Sequence, residues 1–101
     1  MSGLFLGLIS GTSADGIDAA LVRFEPGLQV LSTLTHAYPE ELRARLLSLT
    51  SADARISLDE LGALDVAVGE QFAAAALRLI GSSPEPIVAI GWTASFFHAD
   101  R

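Results

Sequence analysis

The chain has 101 residues, enough for one small domain or for part of a larger one. Half of the residues are apolar, which provides for a packed core and excludes a disordered chain. Twelve acidic residues against six basic ones, all of them arginine, give a net charge of −6, so the basic face that nucleic acid requires is absent; the lack of cysteine excludes disulfides and thiolate metal sites.

Residues 1–9 are apolar, but they carry no basic leader and the run ends at Ser10. No stretch approaches the roughly 20 apolar residues of a membrane span. The sequence therefore reads as that of a soluble cytoplasmic protein, with neither nucleic acid nor membrane as a partner.

The first apolar run, Leu4 to Ile9, predicts a strand, and Ile17 to Phe24 predicts a second. Because the first is apolar on both faces, it is expected to be central and covered on both sides. Between the runs lies Ser10-Gly11-Thr12-Ser13-Ala14-Asp15-Gly16, with Asp18 just behind it. A hairpin needs only a two-residue turn, so this loop carries more chemistry than the turn requires. Gly11 and Gly16 allow positive φ and close approach of a ligand to the main chain. Successive N–H groups in such a loop bind anions, and Ser10, Thr12 and Ser13 add hydroxyl donors. Asp15 and Asp18 would repel a bare phosphate but suit a phosphate accompanied by Mg²⁺. The loop is not a Walker A, having no Gly-Lys-Ser/Thr ending. The competing reading is a polar turn whose Ser, Thr and Asp side chains bond their own backbone.

Glu25-Pro26-Gly27 marks a turn, and Leu28 to His36 predicts a third, more polar strand suited to a sheet edge. Its alternation sets Leu28, Val30, Ser32 and Leu34 on one face and Leu31 and Thr33 on the other. His36 stands alone at the strand end and reads as structural. Pro39-Glu40-Glu41 opens a helix with a Leu42, Leu46, Leu49 stripe. Arg43 and Arg45 are expected outside it, paired with Glu40 and Glu41 as solvated charges.

Ser57 to Glu60 forms a capping box at the start of a long helix that Gly81 stops. Leu58, Leu61, Leu64, Val68, Phe72, Ala75 and Leu79 keep the helical period. Gly69 and the alanines 73–76 would let this helix lie close to its neighbour, and Glu70 and Gln71 read as a solvated face. Pro86 to Gly91 is a short apolar run after a crossover helix. It predicts a strand parallel to the first, with Gly91 near the loop.

The run Gly7-Leu8-Ile9-Ser10-Gly11-Thr12-Ser13-Ala14-Asp15-Gly16-Ile17-Asp18 resembles the amino-terminal signature of the anhydro-N-acetylmuramic acid kinases, Gly-x-Met-Ser-Gly-Thr-Ser-x-Asp-Gly-x-Asp, with Ile9 in place of the Met. The similarity continues in order through residue 91. It implies an α/β fold: part of a ribonuclease H-like lobe of the actin-like ATPases, with three antiparallel strands, one parallel strand and two helices. It implies that Gly11, Thr12, Ser13, Ala14, Asp15, Gly16, Ile17 and Asp18 bind ATP phosphates, with Asp15 or Asp18 helping to hold Mg²⁺. The implied reaction is ATP-dependent phosphorylation of 1,6-anhydro-N-acetylmuramic acid with hydrolytic opening of the anhydro ring, a step of peptidoglycan recycling. The family's catalytic aspartate lies beyond this chain, so the 101 residues alone are expected to be an inactive, truncated fragment.

The family's Ser-His-Gly-Gln-Thr after the fourth strand is replaced by Trp92-Thr93-Ala94-Ser95-Phe96-Phe97-His98-Ala99-Asp100-Arg101. Residues 1–91 thus read as the beginning of a kinase lobe and 92–101 as a divergent tail. The tail's aromatic residues fit a sugar-stacking platform, terminal packing or a changed reading frame. Two other functions remain open: a non-catalytic remnant that binds phosphate or a partner, forming homo-oligomers through exposed lobe surface, and a hydrolase with Ser10 or Ser13 as nucleophile. The hydrolase lacks a base tied to the loop, since only His36 and His98 could serve.

Overall fold

The structure, a computed structural model, describes residues 3–11, 15–51 and 53–94. The elements in order are β1 (Leu4–Ser10), β2 (Gly16–Arg23), β3 (Gln29–Ala37), α1 (Glu40–Ser48), α2 (Leu58–Ile80) and β4 (Ile87–Ala94). The four strands form one sheet in the order β3-β2-β1-β4. β1, β2 and β3 are antiparallel neighbours, and β4 runs parallel to β1 after the helical crossover. The predicted α/β architecture is the observed one.

Alternation along β1 and β2 builds the core. Leu4, Leu6, Leu8, Ile17, Ala19 and Leu21 are buried, while Gly7, Ile9 and Asp18 between them are exposed. The buried set meets Phe72, Ala75, Ala76 and Leu79 of α2 and Leu46 of α1. Full burial of a Leu or Phe side chain contributes about 1.5–3 kcal/mol. Ala75 and Ala76 bring α2 close to the strands, as expected, whereas Gly69 and Ala73 remain exposed.

β1 is central, but the helices cover only one of its faces. Ile9, on the other face, is 53% exposed, so the expected two-sided cover is absent among the described residues. The edge position of β3 is as predicted, yet its pattern shifts midway. The register slips between Leu21, opposite Ser32, and Val22, opposite Val30. The extra residue turns Val30 to the open face with Val22, because a slip of one residue exchanges the faces of a strand. Ser32, Leu34 and His36 keep the helix side.

Pro39 caps α1, accepting the first helical bond from Arg43 N at 2.9 Å. Ser57 caps α2, its hydroxyl accepting from Glu60 N at 3.1 Å. The Glu60 carboxylate does not complete the reciprocal half of the box; both of its oxygens accept from Arg45 at 2.5 Å. That bond holds the Glu60 carboxyl below its ordinary range and ties α1 to α2. The expected Arg45 pairing with Glu40 or Glu41 is thereby replaced. Between the amino-terminal half of α2 and the strands lies an apolar groove of about 530 Å³ lined by Leu46, Leu64, Phe72 and Trp92.

Candidate functional site

The candidate loop joins β1 to β2 at the carboxyl end of β1. The parallel strand β4 ends on the same side, with Ala94 opposite Ser10. Gly91, expected near the loop, lies farther back, opposite Gly7. The ends of parallel strands are where α/β sheets most often bind ligands.

The base of the loop is a buried polar chain. Ser10 is 1% exposed. Its hydroxyl donates to the Gly16 carbonyl at 3.1 Å and accepts from the Tyr38 hydroxyl at 2.9 Å. Burial pushes the Tyr38 phenol above its usual pKa, and the bond to Ser10 offsets part of that rise. Gly16 packs against the neighbouring strand: a Cβ there would stand 2.7 Å from the His36 carbonyl oxygen. Its glycine is therefore required by close approach, and no described glycine has positive φ, contrary to the sequence expectation. Gly11 is exposed, and a Cβ on it would meet nothing within 4 Å. Its main chain is open to an approaching group.

The two carboxylates diverge. Asp15 accepts from Arg43 of α1 at 2.9 Å, on the helix side. Asp18 accepts from Thr35 at 2.8 Å. Its register partners are Ile9 and Thr35, which share the open face. There Asp18 borders a shallow depression of about 860 Å³ whose other lining residues include Gly7, Ala20, Gly91 and Thr93. Mg²⁺ suits one carboxylate with water and phosphate oxygens, and either aspartate alone fits that description. The pair, facing opposite sides of the sheet, does not fit as joint ligands. Among the described residues no group of three or more His, Cys, Asp or Glu side chains could hold a metal.

Of the other residues assigned to ATP, Ile17 is fully buried in the core, so only its main chain is available. Thr12, Ser13 and Ala14 lie outside the described residues, as do Phe96, Phe97 and His98 of the tail. Trp92 is on the helix side of β4, its ring 5.3 Å from that of Phe72. His36 is a strut between sheet and helix. Its Nε2 donates to Gln71 Oε1 at 2.8 Å, and Arg78 donates to its Nδ1 at 3.2 Å. Gln71, read from the sequence as solvated, is half-buried by this contact.

Sequence reasoning passed over Tyr38 and Arg43 as parts of the loop's surroundings. A signal for Arg43 was present: a cation in the first turn of a helix opposes the helix dipole, so its position calls for a partner elsewhere. Asp15 is that partner, replacing the expected Glu40 and Glu41. For Tyr38, the neighbouring Pro39 concealed the signal, because the pair reads simply as a helix start.

The sequence model of the family described as Anhydro-N-acetylmuramic acid kinase matches residues 3–99. A protein of that name from Xanthomonas axonopodis pv. citri is 49% identical over 86 residues, covering 81% of this chain and 23% of its own length. Another from Xanthomonas campestris pv. campestris is 45% identical over 97 residues, covering 89% of this chain and 26% of its own. One from Saccharophagus degradans is 42% identical over 88 residues, with 86% and 24% covered. The chain spans about a quarter of the length of these relatives. With the loop signature at the end of β1 and a match over nearly its whole length, it belongs to the anhydro-N-acetylmuramic acid kinase family.

Proposed function

We propose that this chain is the phosphate-binding portion of an ATP-dependent kinase for 1,6-anhydro-N-acetylmuramic acid. The reaction opens the anhydro bridge with water and transfers the γ-phosphoryl group to the 6-oxygen, giving N-acetylmuramic acid 6-phosphate and ADP within peptidoglycan recycling. The observation that carries the reading is the placement of the signature loop at the carboxyl ends of the parallel pair β1 and β4. In its part of the work the segment Gly11 to Asp18 receives the phosphates on backbone N–H groups and hydroxyls. Mg²⁺ brought with ATP would meet Asp15 or Asp18, not both. Phosphoryl transfer asks mainly for positioning and charge stabilisation.

The 101 residues alone are proposed to bind nucleotide without turnover, since they span only about a quarter of the length of the relatives they match. Titration of the purified chain with Mg²⁺–ATP tests this, with Gly11→Val as the variant. Saturable binding that Gly11→Val abolishes supports the reading. A folded chain that binds nothing removes it, and product formation by this chain removes the claim of inactivity.

A second reading is favoured by the uncovered surface. Trp92 is 67% exposed, Ile90 51% and Ile9 53%. β4 leaves one edge unpaired among the described residues. Apolar faces and free strand edges promote association. A remnant that self-associates without nucleotide binding would show a mass rising with concentration in sedimentation and no response to ATP.

A further inference from the structure

We infer that Tyr38 is a positioning residue of the β1–β2 loop, fixing the separation of its two ends through Ser10. The ligand side of this inference rests on the phosphate-binding reading above.

The β1–β2 ladder stops at Ile9 opposite Asp18. Ser10 and Gly16 lie beyond it, so the ladder does not close the mouth of the loop. The Ser10 hydroxyl closes it, reaching the Gly16 carbonyl at 3.1 Å. A serine hydroxyl turns freely about its C–O bond. Tyr38 removes that freedom: by donating to Ser10 Oγ at 2.9 Å it occupies the acceptor side and leaves the serine proton for Gly16. The relay runs one way, Tyr38 to Ser10 to Gly16, and polarised chains of this kind strengthen their members.

Burial makes the relay specific. Tyr38 is 5% exposed and Ser10 1% exposed, among leucines and alanines. Phenylalanine and alanine would fill those places with no polar group to satisfy, and a buried hydroxyl is costly unless bonded. Each hydroxyl satisfies the other, and the third partner is the far end of the loop. The backbone at Gly16 is held from its other side as well, by pairing with Ala37 beside Tyr38. One short segment at the end of β3, Ala37 and Tyr38, thereby sets where both ends of the loop stand.

The test compares Tyr38→Phe, Ser10→Ala and the double variant with Val68→Ala, a partly buried site on α2 outside the relay. Two quantities are read on the folded chain: amide exchange at Gly11 and Gly16 relative to Leu6 and Leu21, and the Kd for Mg²⁺–ATP. Loss of one buried hydrogen bond predicts about tenfold faster relative exchange at the loop ends and about tenfold weaker nucleotide binding. The double variant should be no worse than either single one. Val68→Ala should lower overall stability while leaving both quantities unchanged. Tyr38→Phe with wild-type relative exchange, or with a Kd equal to that of Val68→Ala, overturns the inference. Should Tyr38→Phe not fold, Ser10→Ala reads the same relay without altering the ring. Should the wild-type chain bind no nucleotide, the phosphate-binding reading fails, and the exchange ratio alone decides the role of Tyr38.

Discussion

The α-carbon of Gly16 lies so near the carbonyl oxygen of His36 that a Cβ would stand 2.7 Å from it. The obstacle is backbone in a paired strand, which cannot rotate aside. Gly16→Ala is therefore expected to destabilise the chain by about 1–3 kcal/mol, the usual cost of forcing extra volume into a packed site. Gly11→Ala at the other end of the loop meets open space and should change stability by less than about 0.5 kcal/mol. Urea unfolding of both variants measures the contrast; equal effects would mean that β2 and β3 are spaced differently at the loop.

Tyr38 gives the chain a sensitivity to alkali. Its phenol is raised above the ordinary value of 10.0, chiefly by burial. The folded state therefore holds the proton more tightly than the unfolded state. The stabilisation is complete below pH 10 and is lost as the pH rises through the folded pKa. Tyr38 is the chain's one tyrosine, so tyrosinate absorbance should titrate above pH 10 and coincide with falling stability. Tyr38→Phe should lose the absorbance change and much of the alkaline decline.

Arg43 and Asp15 are both largely open to water, with side chains 43% and 72% exposed. An exposed pair contributes at most about 1 kcal/mol and weakens with salt. Arg43→Ala and Asp15→Asn should each change stability by less than that. Their effect on Mg²⁺–ATP should be larger, because an unpaired Asp15 repels phosphate. Arg43→Ala is expected to weaken binding several-fold, and Asp15→Asn in the same chain should restore it. Failure of the restoration would mean that the guanidinium acts on the phosphates itself, not through Asp15.

Much of the fold was readable because its signals are local. The short apolar runs Leu4 to Ile9 and Ile17 to Phe24, the turn at Pro26, the Ser57 cap and the parallel strand after a crossover helix each follow from residues close in sequence. What escaped depends on pairings across the chain. Nothing near Leu31 announces the register slip that turns Val30 to the open face, since the slip is set opposite, between Leu21 and Val22. The loop's letters identified a candidate site, but its base is built by Tyr38, 28 residues beyond Ser10. The divergence of Asp15 and Asp18 likewise follows from strand geometry: Asp18 is within β2 and obeys its alternation, whereas Asp15 precedes the strand and is drawn to Arg43.

The stripe along α2 is uniform in sequence and uneven in structure, which yields a test of where its stability resides. Leu58 is 86% exposed and Leu79 only 2%. Both were expected on one apolar face, but a helix of 23 residues is about 35 Å long at 1.5 Å per residue, and its buried residues, Phe72, Ala75, Ala76 and Leu79, all lie in its second half. Leu79→Ala opens a cavity against β1 and β2 and should cost about 2–5 kcal/mol. Leu58→Ala removes little buried area and should stay within about 0.5 kcal/mol. Leu64, half-buried at the groove, should fall between them. Thermal or urea unfolding of the three variants gives the order directly. A large loss for Leu58→Ala would show that the start of α2 is covered in solution, by a second copy of the chain if the loss grows with concentration.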